Sequence, residues 1–186
     1  MATQMPREGL TAVEQSLVKH VGRGELLDLA TADEAVDEPA MRSWGDSPTC
    51  RASVIRDILR GRLAADPDPH GLRLRGARIT GRLDLEDLTT DVNLELEDCL
   101  LEEGIMAHGA HLASVFLAGC QFEHPAEPPL DGTRLTCSLL SLGGARRDAS
   151  GGATPGGGSS TTTEATLRHS PTHPATANRG DLPDLP

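Results

Sequence analysis

The feature that most constrains this chain is a self-similar stretch from Leu72 to Ala145. In units it reads Leu72-Arg-Leu-Arg-Gly-Ala77, Leu83-Asp-Leu-Glu-Asp-Leu88 and Leu94-Glu-Leu-Glu-Asp-Cys99. Ile105-Met-Ala-His-Gly-Ala110, Val115-Phe-Leu-Ala-Gly-Cys120 and Leu140-Ser-Leu-Gly-Gly-Ala145 follow, with a degenerate unit at Pro128 to Thr133 between the last two. Successive units therefore start at positions 72, 83, 94, 105, 115, 128 and 140. A recurring internal period decides architecture ahead of any single-residue signal.

Each unit opens apolar, polar, apolar, the period-2 pattern of a short strand with one buried face. A Gly or Asp follows, then a small or apolar residue, and two positions later an apolar residue returns at Ile79, Leu101, Leu112, Phe122 and Leu135. Thr90 and Arg147 break that slot. Strands this short cannot bury an inner face alone, so the stable solution is to coil and stack. Alternate units match best, which sets a coil of two units, roughly 21–22 residues. Ala77, Cys99, Cys120 and Ala145 then form one inward column of small side chains, neighbours lying about 4.8 Å apart. A packed column is the plain reading of Cys99 and Cys120, and a disulfide or metal pair is the alternative. About three coils are present, close to the minimum for a stacked repeat to hold itself together.

The run GLRLRGARITGRLDLEDLTTDVNLELEDCLLEEG resembles the pentapeptide-repeat-like right-handed β-helix proteins of high-GC bacteria. Ala77-Arg-Ile79-Thr-Gly81, Ala110-His-Leu112 and Cys120-Gln-Phe122 match that family's local pattern, a small residue two positions before a central Leu or Phe. The period here drifts from unit to unit, and many windows lack the pair. The resemblance implies that both residues of each pair point inward. The expected fold is mainly β: a short right-handed β-helix, a solenoid of about three coils over 72–145. A helical N-terminal cap and linker would occupy 1–71, and a disordered Gly/Ser/Thr/Pro-rich tail 146–186.

Composition agrees with a narrow Leu- and Ala-lined interior, since Trp44, Phe116 and Phe122 are the only aromatic residues. Sixteen Arg stand against the single Lys19, a balance typical of high-GC coding. The net charge of −11 divides into −4 over 1–71, −7 over 72–145 and zero beyond. An acidic repeat argues against binding nucleic acid through its phosphates, which needs clustered Lys and Arg, and suits a basic protein partner or solubility. Cys50, Cys99, Cys120 and Cys137 show no CxxC spacing. Met1 to Leu10 has no apolar signal-peptide core, and no apolar run approaches about 18 residues. A cytoplasmic protein with reduced thiols and no membrane segment is expected.

Along the chain, Thr11 and Glu14 form a capping box for a helix carrying Val13, Leu17, Val18 and Val21, ended by Gly22 to Gly24. Leu26, Leu27 and Leu29 suggest a first irregular strand, and the acidic run Ala32 to Ala40 a loop. Ser47-Pro48 reads as an N-cap with Pro at the first helical position. That second helix would run through Cys50, Val54, Ile55, Ile58 and Leu59 to Gly61, covering the first coil. A partner-docking helix is the alternative. Asp66 to Gly71 is the linker, and Pro125 to Pro129 a loop at one corner, where Glu123, His124 and Glu127 are the candidate partner contacts. After Ala145 the pattern stops abruptly, which suggests a truncated or frameshifted continuation. The uncapped last coil would present free strand edges for self-association.

Chemistry is sparse. His108 and His111, with Cys99, Cys120 and His124 in neighbouring units, lack metal-ligand spacing. No phosphate-binding glycine loop or nucleophile elbow occurs. Asp84, Glu86, Glu95 and Glu97 alternate with Leu and read as a solvated acidic face, without the pocket that acid–base catalysis requires. No catalytic residue, metal or cofactor is assigned. Three functions remain open. The first is a non-enzymatic interaction or scaffold module with an unidentified protein partner. The second, implied by resemblance, is a fragment of a bacterial protein of the kind labelled membrane-associated oxidoreductase. The third, also implied by resemblance, is an acidic DNA mimic acting on a topoisomerase.

Overall fold

In the computed structural model of the chain, the described residues are 9–30, 41, 48–123, 129–143 and 146–147. They form a mainly β structure with two helices and parallel sheets. The N-terminal part comprises α1 (Ala12–Val21), β1 (Leu27–Asp28), β2 (Thr49–Arg51) and α2 (Ala52–Leu59). Then come β3 (Leu72–Arg75), β4 (Arg78–Thr80), β5 (Leu83–Asp84), β6 (Thr89–Thr90), β7 (Leu94–Glu97) and β8 (Leu100–Leu101). The remaining strands are β9 (Ile105–Met106), β10 (His111–Ala118), β11 (Gln121–Phe122), β12 (Leu130–Asp131), β13 (Thr136–Ser141) and β14 (Arg146–Arg147).

Three sheets run β1-β3-β7-β10-β13 (with β6 also on β10), β14-β11-β8-β4-β2, and β12-β9-β5. Their registers carry the repeat directly. Leu72 pairs with Leu94, Leu94 with Val115 and Val115 with Leu140. Arg78 pairs with Leu100, Leu100 with Gln121 and Gln121 with Arg146. Leu83 pairs with Ile105, and Ile105 with Leu130. The chain thus returns to the same sheet after every second unit, always in parallel. The circuit from Val115 to Leu140 is longer than the two before it and contains the Pro-rich stretch ahead of Leu130. In-register stacking lines up like side chains. The inward leucines at 72 and 94 have no exposed surface, and Val115 is 3% exposed.

The corners explain the Gly or Asp in each unit. Gly76, Asp98 and Gly119 all have positive φ, +72°, +47° and +64°. They follow one another through backbone bonds: Gly76 N–H donates to the Glu97 carbonyl at 3.1 Å and Asp98 N–H to the Ala118 carbonyl at 2.7 Å. Asp87, Gly109 and Arg134 repeat the left-handed geometry at a second corner. Glycine adopts it without strain, and Asp tolerates it better than most residues. Where it is required at Gly76, a Cβ would lie 2.4 Å from the Ala30 backbone nitrogen.

At the N-terminal end the capping box forms: the Thr11 hydroxyl accepts from Glu14 N–H at 3.2 Å, and the Glu14 carboxylate from Thr11 N–H at 2.8 Å. Leu17, Val18 and Val21 are buried on one face of α1. The first irregular strand is β1, which pairs with β3. One expectation is corrected. The second helix begins at Ala52, not after Ser47, and Thr49 to Arg51 form a strand. The cause is tertiary: Cys50 stands in register with Ile79, and Arg78 N–H donates to the Pro48 carbonyl at 3.2 Å. These parallel bonds satisfy backbone groups that a helix would otherwise claim. Val54, Ile55, Ile58 and Leu59 of α2 are buried all the same. The Ala32 to Ala40 loop, the Pro125 to Pro128 part of the corner loop and the stretch beyond Arg147 lie outside the described residues.

A buried carboxylate ties α1 to the repeat. Glu14 has no exposed surface. It accepts from Arg51 Nε at 2.7 Å, Arg51 Nη2 at 2.6 Å and Arg51 N–H at 3.1 Å. Burial by itself pushes the Glu14 carboxyl up, but the Arg51 guanidinium and the Thr11 and Arg51 N–H bonds overcome it and hold the pKa at about 2.

Two outcomes test this description. Gly76→Ala should lower stability to urea by about 2–4 kcal/mol, because strain and a backbone collision add. Gly81→Ala, also at positive φ but with open space around it, should cost only about 1 kcal/mol. For Glu14, a folded-state pKa depressed below the ordinary 4.5 means its contribution is complete above about pH 4.5 and lost as pH falls towards 2. Up to about 3 kcal/mol should disappear across that window, and a pH series of urea midpoints should show the loss largely removed in Glu14→Gln.

Candidate functional site

The outward side chains of the sheets are the surface available for function, and the same register organises them. Arg73 Nε donates to Glu95 Oε2 at 2.6 Å. Arg75 Nε donates to Asp98 Oδ2 at 2.9 Å, and its Nη1 to Asp28 Oδ2 at 3.2 Å. Arg78 Nε donates to Glu102 Oε1 at 2.7 Å, and its Nη2 reaches Glu123 Oε2 at 3.2 Å. Arg56 of α2 pairs with Asp84. The arginines of one layer therefore clamp the carboxylates of the next.

The expectation of a solvated acidic face is corrected for Asp84 and Glu95, which are ion-paired to Arg56 and Arg73. On the Arg73, Arg75 and Arg78 ladder the arginines and their partners Glu95, Asp98, Glu102 and Glu123 are only 21–35% exposed, and Asp28 is 43% exposed. Glu86 does remain exposed. The signal was present in the sequence, because Arg73 and Arg75 precede Glu95 and Glu97 by one full coil. Within this ladder the Glu95 carboxyl is held low by its bond from Arg73. Glu97 is pushed up by its hydrogen bond to Glu95, and then by burial. A divergent carboxylate pair is a feature of acid–base sites. The shallow groove beside Glu95, about 350 Å³, is lined by Pro69, His70, Arg73, Asn93 and Phe116, and Glu97 is not part of it.

Ala77, Cys99 and Cys120 are wholly buried. Leu100 N–H donates to the Ala77 carbonyl at 3.0 Å and Gln121 N–H to the Cys99 carbonyl at 2.9 Å, so the three succeed one another in neighbouring layers. Cys99 Sγ donates to the Glu97 carbonyl at 3.2 Å, and Cys120 Sγ to the Leu96 carbonyl at 3.3 Å. Burial raises the Cys50 thiol to about 12, and Cys120 is pushed well up by its hydrogen bond with Cys99 and by burial. All four cysteines are free and buried. Thiols held this way are packing groups, because the thiolate is the species that attacks or ligates. Ala145, the fourth member of the expected column, lies outside the described residues.

Of the candidate partner contacts, Glu123 is half-buried and tied to Arg78, while His124 and Glu127 lie outside the described residues. The histidines do not converge. His108 Nε2 accepts from Arg134 Nη2 at 2.6 Å, and His111 lines a separate open groove of about 780 Å³ with Thr89, Thr90, Leu112, Thr136 and Cys137. Among the described residues, no group of three or more His, Cys, Asp or Glu is arranged to hold a metal ion. The groove was missed in the sequence. Its signal is positional: Thr89-Thr90 recurs as His111-Leu112 one coil later, and as Thr136-Cys137 one coil beyond that.

No protein-family model matches this chain, and no curated protein or solved structure does. Among the described residues, no helix is long and apolar enough to cross a membrane.

Half-exposed ion pairs on a stacked surface should be worth about 0.5–1 kcal/mol each. A double-mutant cycle on Arg73→Ala and Glu95→Ala should give a coupling of that size, smaller in high salt. Thiol titration should find Cys50, Cys99 and Cys120 slow to react in the native chain and reactive once urea unfolds it, with Cys137, on the open groove, reacting before them.

Proposed function

We propose that this chain is a short right-handed β-helix of the pentapeptide-repeat-like kind, acting as a non-enzymatic interaction or scaffold module. The observation that carries the reading is the parallel pairing of repeat strands with their counterparts one coil away. Such stacking presents outward side chains at fixed spacing on a surface whose backbone is already committed to hydrogen bonds. Recognition then comes from shape and charge complementarity along preformed faces, with little ordering cost on binding.

The electrostatics favour this module over a DNA mimic. Duplex DNA offers an unpaired phosphate about every 1.7 Å of axis, whereas the carboxylates of Glu95, Asp98 and Glu102 are clamped by arginines.

Cross-linking mass spectrometry on the full chain in bacterial extract tests the proposal. One reproducible partner should cross-link through a single outward face. Charge reversal at the exposed Glu86 or Asp91 should change the yield if that face is used, with the circular dichroism spectrum unaltered. Bound flavin or nicotinamide in the purified chain, or inhibition of topoisomerase supercoiling, would sink this reading in favour of the oxidoreductase fragment or the DNA mimic.

A further inference from the structure

The two ends of the stack are finished differently. At the N-terminal end α1 lies against β3, and α2 against β5, the edge strand of its sheet. At the other end β12, β13 and β14 are each the last strand of their sheets. No strand among the described residues pairs with their outer edges.

Burial records the difference along each apolar column. Leu72, Leu94 and Val115 are covered, yet Leu140, the next in register, is only half-buried. Leu83 and Ile105 are covered, yet Leu130 is half-buried. Leu139, in register with the buried Ser114, is 40% exposed. Most of the unpaired backbone at this end belongs to β13, whose sequence Thr-Cys-Ser-Leu-Leu-Ser has no charge and no proline. Edge strands left open in monomeric proteins are normally protected by such residues or by bulges.

We propose that this end of the stack is a self-association surface, on which β13 pairs antiparallel with β13 of a second copy about a two-fold axis. A strand edge is complementary to itself, and a two-fold contact closes, so a dimer forms rather than a filament. Leu139 from each copy flanks the seam, and the half-buried Leu130 and Leu140 gain the cover that earlier members of their columns have. The chain's own remainder is a poor substitute. Residues 148–186 hold Leu167, Leu182 and Leu185 as their only large apolar residues, with no Leu-x-Leu unit to make a matching layer. Pairing through one six-residue strand is a small contact, so it should be weak and concentration-dependent. The inference rests on the pairing of β13 and holds whatever the outer faces bind.

Sedimentation of the full chain over a concentration series tests it. A monomer–dimer equilibrium is expected, weakened roughly tenfold or more by Leu139→Lys with an unchanged circular dichroism spectrum. A purely monomeric chain, open-ended growth, or a dimer indifferent to Leu139→Lys would each overturn it. Thiol labelling of Leu139→Cys, with Cys137→Ser to remove the neighbouring thiol of β13, separates the occupants, because Cys50, Cys99 and Cys120 have no exposed surface. Protection that rises with protein concentration supports a second copy. Protection at every dilution means that the chain's own remainder covers the end, and refutes the proposal.

Discussion

Everything in the structure depends on the parallel backbone hydrogen bonding between layers about one coil apart. A parallel partner cannot be supplied by a tight hairpin, so the chain must make a full circuit before it meets its own preceding strand. The circuit here spans two repeat units and passes through three sheets. It turns its corners on left-handed residues such as Gly76, Asp98 and Gly119. Once the register is set, every side chain is placed above its counterpart. Columns of leucine and of small residues fill the interior, and the outward residues meet charge against charge.

That placement explains why a strongly acidic repeat tolerates its own charge. Like charges directly opposite one another in neighbouring strands repel. Arg73 and Arg75 stand opposite Glu95 and Glu97, so adjacent layers attract. The next step gives Phe116 and Ala118 opposite Glu95 and Glu97, which avoids a second acidic layer. The sulfur atoms follow the same logic in the interior. Cys99 and Cys120 fill a narrow column and donate to carbonyls, and the hydrogen bond with Cys99, together with burial, keeps the Cys120 thiol protonated.

The stack is also directional. Its first layers are covered by α1 and α2 and fastened through Glu14, whose burial is tolerated because Arg51 and two backbone N–H groups satisfy it. Its last layer has half-buried leucines and an uncharged edge strand. Among the described residues no further strand continues the register beyond β12, β13 and β14, so each column there has one neighbour fewer. Arg147 stands in register with Phe122, where Ile79 and Leu101 supply apolar residues in earlier layers.

The sequence by itself determined the strands that open most of the repeat units, their period and the positions of the corners. Those follow from local alternation of apolar and polar residues and from the few residue types that accept positive φ. The helix at Thr11 was legible for the same reason, since a capping box is a contact between near neighbours in the chain. Only the tertiary structure decided that Thr49 to Arg51 is a strand, because its hydrogen-bond partner is β4, well beyond the helix that follows it. It likewise decided that Glu14 is a buried latch and that Arg56 of α2 lands on Asp84. Each of these depends on which layer lands beside which, and a local pattern carries no record of its partner until the chain has closed its circuit.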